Sequence, residues 1–119
     1  MSESTKKTGG VGEDLAAAVL TKKGFRVIER NYRYGKGEID IIAKDKNVLV
    51  FIEVKTRKNL EYGPPELAVT KGKQNQIRKI AGAYLYEKEI KDTDCRFDVV
   101  AIQFMPKQKP KINHIINAF

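Results

Sequence analysis

Two carboxylates and a lysine interrupt sequence that is otherwise built to form strands. The stretch Gly37 to Arg57 reads GEIDIIAKDKNVLVFIEVKTR. Val, Ile and Phe fill two runs around the polar Lys44-Asp45-Lys46-Asn47, the pattern of two adjacent antiparallel strands. Glu38 and Asp40 break the first run; Glu53 and Lys55 break the second. Side chains alternate faces along a strand. Glu38, Asp40 and Ile42 therefore share one face, and Leu49, Phe51, Glu53 and Lys55 share one face of the partner. With Asp45-Lys46 as a two-residue turn, Ala43 pairs with Val48, Asp40 with Phe51 and Glu38 with Glu53. Asp40 then lies diagonal to Glu53, within reach of a shared ligand. The other face carries Ile39, Ile41, Val48, Val50, Ile52 and Val54, a continuous apolar surface.

Carboxylates that face each other repel, and in a buried setting they need a partner. A divalent cation supplies one. Hard oxygen ligands without His or Cys suit Mg²⁺ or Mn²⁺, and Mg²⁺ typically takes one or two protein carboxylates. Asp40 and Glu53 can offer them. Lys55 could orient or help deprotonate a metal-bound water, or neutralise charge developing on a phosphate. The alternative is a buried Glu–Lys ion pair with a purely structural role.

The 119 residues are enough for one small domain with a single core. A formal charge of +8 and a pI near 9.6 favour a polyanionic partner, nucleic acid or an anionic membrane surface. No apolar run approaches membrane-spanning length, and no strongly basic amphipathic helix supports a membrane partner. Lys6 and Lys7 are followed by no apolar segment, so the start does not read as a signal peptide. Residues 1–11 are expected to be a disordered tail, and 12–119 a single domain. Cys95 is the only cysteine, which precludes an internal disulfide and fits a cytoplasmic location. His114 is the only histidine, which argues against a Ser-His-Asp site and a His-rich zinc site.

The elements that must position the acids follow from periodicity and breakers. Glu13 to Lys23 reads as a helix ended by Gly24, with Glu13, Ala17 and Leu20 on one face. Glu13 sits at the rim of that face, or is simply an acid favoured by the helix dipole. Phe25 to Tyr34 is a strand, and Arg30, Arg33 and Lys36 gather cations just before the acids. They form a solvated edge or contact phosphate. Tyr32 and Tyr34 interleave with them; one could stack on an unpaired base, with Tyr32 the better candidate for the core. Gly63, Pro64 and Pro65 force a loop after the second acidic strand, well placed to touch substrate. A helix from about Thr70 to about Lys88 carries the apolar stripe Ile77, Ile80, Ala81, Tyr84 and Leu85. Lys73 extends it toward the charged end of the sheet with Gln74 beside it, a polar pair that either reaches the acids or is a simple amphipathic boundary. Cys95 to Phe104 is a strand in which Asp98 reads as a structural partner for Arg96 or Lys. Ile112 to Phe119 is a fifth strand or a packing tail. The order α-β-β-β-α-β-β is that of an α/β domain, a mixed sheet flanked by helices.

Asp40 followed by Glu53-Val54-Lys55 on the next strand resembles the PD-(D/E)xK nuclease superfamily, although Ile39 stands where its motif often has proline. Gly12-Glu13, Asn31-Tyr32-Arg33, Gly37-Glu38-Ile39-Asp40, Tyr62-Gly63, Lys73-Gln74, Arg96-Phe97-Asp98 and Asn117-Ala118-Phe119 together resemble the bacterial YraN-like family. The likeness runs from Gly12 to Phe119. That family is considered related to archaeal Holliday-junction resolvases, so the resemblance implies a restriction endonuclease-like core. It also implies Mg²⁺- or Mn²⁺-dependent hydrolysis of DNA phosphodiester bonds at branched structures. In those terms Asp40, Glu53 and the Val54 carbonyl hold the metal, Lys55 acts on the attacking water, and Glu13 and Glu38 assist. Arg33, Lys36, Lys73 and Gln74 contact nucleic acid. A homodimer follows if junctions are the substrate. The rival expectation is a nucleic-acid-binding module that does not cleave.

Overall fold

The structure, a computed structural model, describes residues 3–58 and 69–119, with side chains from residue 10 onward. The elements are α1 (Glu3–Lys22), β1 (Arg26–Tyr34), β2 (Gly37–Asp45), β3 (Val48–Arg57), α2 (Lys71–Glu87), β4 (Cys95–Gln103) and β5 (Lys111–Ile115). This is the expected order. The expected substrate-facing loop with Gly63, Pro64 and Pro65 lies outside the described residues. Helix α1 starts at Glu3 rather than Glu13, within the stretch expected to be a disordered tail. Its end is as expected, with Gly24 at φ +98° and the Phe25 N–H donating back to the Leu20 carbonyl. No helix is long and apolar enough to cross a membrane among the described residues.

The five strands lie in chain order, β1-β2-β3-β4-β5. β1, β2 and β3 are antiparallel neighbours, β3 and β4 are parallel, and β5 returns antiparallel to β4. A parallel neighbour needs a crossover, and α2 supplies it. Each sheet face is covered by one helix. Ala16 and Leu20 of α1 pack on Ile41, Ala43, Val50, Ile52, Val100 and Ile102. Ile77, Ile80, Ala81 and Tyr84 of α2 pack on Ile39, Ile42, Leu49 and Phe51. The fully buried line of α1 is thus Gly12, Ala16 and Leu20, with Glu13 and Ala17 beside it. The tail after β5 closes the α2 side. The Phe119 ring stacks on Phe97 at 5.3 Å, Phe97 on Phe51 at 5.6 Å, and the Arg78 guanidinium lies over Phe97 at 4.9 Å. Ile112–Phe119 is therefore both strand and packing tail.

The β2–β3 register differs from the expected one. Asp45 pairs with Val48, so the turn is Lys46-Asn47, with Lys46 at φ +57°. A left-handed first turn residue matches the twist of a two-residue hairpin. The shift is two residues along the partner, so the faces of the paired residues keep their parity. Its effect is to put Asp40 in line with Glu53 instead of diagonal to it. Glu38 faces Arg33 across β1–β2, not Glu53. A second difference concerns Ile39, which packs with the α2 cluster while Ile41 packs with α1. Strict alternation would put both on one face. The cause lies next door, where Asn31 adopts φ +55° between Arg30↔Ile41 and Tyr32↔Ile39. This kink turns the chain between Ile41 and Ile39, and Asp40 stands at the crossing point.

Two glycines mark where helices approach the sheet too closely for a side chain. A Cβ on Gly12 would stand 2.5 Å from Thr56 Cγ2, and one on Gly37 would stand 2.7 Å from both Gln76 Nε2 and Ile80 Cδ1. Gly82, within α2, would meet nothing within 4 Å. Gly37→Ala should therefore lower unfolding stability by about 1–3 kcal/mol through overpacking. Gly82→Ala should raise it by about 1 kcal/mol through helix propensity. Urea unfolding of both variants checks the contrast; equal shifts would mean that the α2–β2 contact yields freely.

Candidate functional site

The site lies where the β2–β3 ladder stops. Paired residues run from Asp45↔Val48 to Ile41↔Ile52 and go no further. A regular continuation would face Val54 with Ile39 across the ladder. Instead the Val54 N–H donates to Asp40 Oδ2 at 2.8 Å. A side chain has taken the place of the next backbone bond, and the strands part beyond it. N–H and C=O of one extended residue point to the same side, so the Val54 carbonyl also faces this gap.

Asp40 and Glu53 meet in the gap as neighbouring carboxyls that raise each other's cost of ionising. Glu53 is 4% exposed. Burial, with the neighbouring Glu53 carboxyl, pushes the Asp40 carboxyl up, to about 8; the Val54 N–H and the Lys73 charge act the other way. Glu53 Oε2 is buried and receives no hydrogen bond among the described residues. Lys73 Nζ stands 3.5 Å from it and Lys55 Nζ 4.0 Å, too far for a good hydrogen bond. Lys55 arrives by strand parity, one pleat beyond Glu53. Lys73 arrives from the first turn of α2, which Thr70 caps by accepting a hydrogen bond from the Lys73 N–H at 3.2 Å. The cap fixes where the helix begins and so where Lys73 projects.

Glu13 borders the same group of acids from α1. Its Oε1 accepts from Asn31 Nδ2 at 2.8 Å, and Arg30 stands 3.7 Å away. Burial pushes the Glu13 carboxyl up, the Asn31 hydrogen bond counters it, and the charges of Asp40 and Glu38 raise it further. Glu38 is 3.8 Å from Arg33, and its Oε2 is a second buried oxygen without a donor among the described residues. No three acids converge on one point among the described residues. Asp40 and Glu53 are a pair, while Glu13 and Glu38 are held near it by basic or amide partners from β1.

The remaining expected contacts separate. Lys73 reaches the acids, whereas Gln74 turns back and donates to the Val69 carbonyl at 3.3 Å. Arg33 is exposed beside Glu38, and Lys36 is exposed at the β1–β2 turn. Asp98, fully buried, takes the structural role expected of it. Arg96 donates to both its oxygens at 2.9 Å, and the Asn117 N–H adds a third bond. His114 Nε2 lies 2.8 Å from the same carboxylate, and Lys23 Nζ lies 3.0 Å from His114 Nδ1. An ammonium can only donate, which makes Nδ1 the acceptor toward Lys23 and Nε2–H the donor toward Asp98. The His114, Arg96 and Asn117 hydrogen bonds outweigh the cost of burial and bring Asp98 down to about 2.

Asn31 and Thr70 position the site without being part of the acid–lysine pattern, Asn31 by holding Glu13 and Thr70 by capping the helix that carries Lys73. Asn31 carries a signal in its type, since Asn tolerates the left-handed region better than most residues. Thr70 precedes the helical pattern, as an N-cap does. The donor set suits a hard divalent cation: two carboxylates, a carbonyl facing the same gap, and a buried Glu53 oxygen short of a donor.

This is an α/β domain with an acid–lysine site at the parting of two central strands. The chain belongs to the uncharacterised protein family UPF0102, whose model matches residues 12–102. It is 51% identical over 118 residues to the UPF0102 protein of Geobacter sulfurreducens, covering 99% of this chain and 92% of that one. It is 44% identical over 122 residues to the UPF0102 protein of Caldanaerobacter subterraneus subsp. tengcongensis, covering both chains in full. A UPF0102 protein of Chlorobium phaeobacteroides is 45% identical over 124 residues, 100% of this chain and 98% of its own.

The Asp40 carboxyl gives a pH dependence whose sign follows from linkage. Its folded value is raised, so the folded protein holds the proton more tightly than the unfolded chain. The stability it contributes is complete below the unfolded value near 3.9 and is lost as pH rises through about 8. In EDTA, melting temperature should fall between pH 5 and pH 9 as measured by thermal denaturation, and Asp40→Asn should flatten that fall. An unchanged slope in the variant would assign the pH dependence to other groups.

Proposed function

We propose that the protein is a divalent-metal-dependent nuclease that hydrolyses phosphodiester bonds in DNA, with a restriction endonuclease-like core of the PD-(D/E)xK kind, working in the cytoplasm. The observation that carries this reading is the pairing of two acids in a strand gap with Lys55 and Lys73 beside them. Two carboxylates buried together repel, and binding a polyanion alone gives no reason to place them facing it. A cation site gives a reason for both the pair and the donor-poor Glu53 oxygen. The formal charge of +8 supports a polyanionic substrate.

Asp40, Glu53 and the Val54 carbonyl would hold Mg²⁺ or Mn²⁺ here. When bound, such an ion supplies Lewis-acid polarisation and charge neutralisation at a phosphate. The chain's own groups do the rest. The Val54 N–H orients the Asp40 carboxylate toward the gap. Lys55, held near Glu53 but not hydrogen-bonded to it, can direct the attacking water and stabilise charge on the phosphate oxygens. Lys73 is placed by its capped helix to hold a non-bridging oxygen. Glu13 and Glu38 tune the acids through their charge, and Arg33 and Lys36 offer contacts to the backbone of the nucleic acid.

The test separates catalysis from structure. Wild-type protein should cut at least one of a linear, single-stranded, flap or four-way DNA substrate with Mg²⁺ or Mn²⁺, and not in EDTA. Lys55→Ala should keep its melting temperature and metal affinity yet lose about 10²–10³-fold in single-turnover cleavage. Glu53→Gln should lose metal binding and cleavage together. If both variants chiefly unfold, Glu53 and Lys55 form a structural ion pair. Lack of cleavage on every substrate, with DNA binding intact, would leave a non-catalytic binding module.

A further inference from the structure

A groove between edge strand β1 and the C-terminal half of α2 stands apart from the acids. It encloses about 510 Å³ and is lined by Tyr32, Tyr34, Lys79, Ala83, Tyr86 and Glu87. Tyr32 belongs to the core: it is 7% exposed, edge-on to Tyr84 at 5.0 Å, and its hydroxyl donates to Glu87 Oε2 at 2.6 Å. The other oxygen of Glu87 faces Lys88 Nζ at 4.0 Å. Glu87, the acid lining the groove, is thus hydrogen-bonded through one oxygen and has a cation near the other, and the Glu29 charge is also felt at Tyr32. Tyr34 and Tyr86 differ from Tyr32. They are 50% and 88% exposed, and neither ring packs on another aromatic ring among the described residues. Lys79, Ala83 and Tyr86 fall at i, i+4 and i+7, so one face of α2 presents cation, small residue and ring in sequence.

Exposed tyrosines taken singly are ordinary. Here two open rings border one groove with a lysine on its wall, and exposed Lys36 sits at the adjoining turn. A flat ring with an attached anion matches that lining. Within a duplex the bases are stacked on each other, so only an unpaired nucleotide offers its face to a side chain. We infer that this groove binds an unpaired nucleotide, with Tyr34 and Tyr86 stacking on the base and Lys79 contacting its phosphate. Lys73, beside Glu53, is thirteen residues before Tyr86 on the same helix, about 20 Å away along its axis. A strand held in the groove can reach the acids a few nucleotides further on. This rests on the DNA-directed function proposed above and narrows it to substrates with a single-stranded segment.

Binding can be measured in EDTA, where cleavage plays no part. Fluorescence anisotropy with labelled oligothymidylate and with a blunt duplex would compare wild type, Tyr34→Ala, Tyr86→Ala and Tyr86→Phe, with thermal melts to confirm folding. Each alanine variant should weaken oligothymidylate binding by roughly fivefold or more while leaving the duplex nearly unchanged, and Tyr86→Phe should bind as wild type does. The chain has no Trp, so tyrosine emission should be quenched directly on binding. Unchanged single-strand affinity, parallel loss on single strand and duplex, or a Phe variant as weak as the Ala variant would each overturn the inference. Selective oligothymidylate binding without cleavage in Mn²⁺ would sink the nuclease reading and leave the groove standing. Cleavage with alanine variants that bind oligothymidylate normally would do the reverse, and a wild type that binds neither DNA would sink both.

Discussion

Two carboxylates, Glu53 buried and Asp40 half-buried, are held together, and much of the local architecture answers to that repulsion. The β2–β3 ladder ends early, which frees the Val54 N–H for Asp40. Lys73 is brought to Glu53 by a capped helix start, and Lys55 by strand alternation. Asn31 leaves the ordinary strand conformation beside Asp40 and binds Glu13. Two apolar layers keep these pieces in register, one under α1 and one under α2. The acids sit where the paired part of β2 and β3 ends, with Glu53 buried and Asp40 half-buried. Such a position combines low local dielectric with access, and it is where a perturbed carboxyl has chemical use.

The same sheet contains a contrasting case. Asp98 is fully buried, yet both its oxygens are saturated by Arg96, His114 and the Asn117 N–H, and it stays ionised far below neutrality. That is how this fold satisfies an acid whose task is to anchor the terminal segment. Among the described residues Glu53 Oε2 receives no hydrogen bond, and Asp40 has a second acid as a neighbour. The two environments differ in kind, although the residues lie on strands β2, β3 and β4 of one sheet.

Element order was legible because periodicity and breakers agreed, and α2 matched to within a residue with its cap at Thr70. The gathering of Asp40, Glu53, Lys55 and Lys73 was also legible, since strand alternation and helix spacing both act over short range. What escaped was the exact strand register. The choice between Asp45-Lys46 and Lys46-Asn47 depends on one left-handed residue, and neither pair contains a glycine to reveal it. The switch of Ile39 to the α2 side escaped for the same reason, because Asn31 acts across strands where no single-strand pattern can register it. Gln74 pointed toward the site by helical position but found a nearer acceptor in the Val69 carbonyl. The steric demands at Gly12 and Gly37 depend on helix–sheet approach, which composition does not encode.

The conformation of β1 also bears on how copies of the chain can meet. As the outermost strand it offers backbone groups to any passing strand, the usual route to edge-to-edge aggregation. Yet its pairing shifts after Val27, and Asn31 is left-handed four residues later, so its free edge is broken twice within nine residues. Arg26, Glu29, Arg30 and Arg33 add charge along it. The opposite edge, β5, is regular but only five residues long and starts with Lys111. The kink that turns Asp40 toward its partner thus also guards the sheet against extension, making a continuous intermolecular sheet an unfavourable mode of self-association.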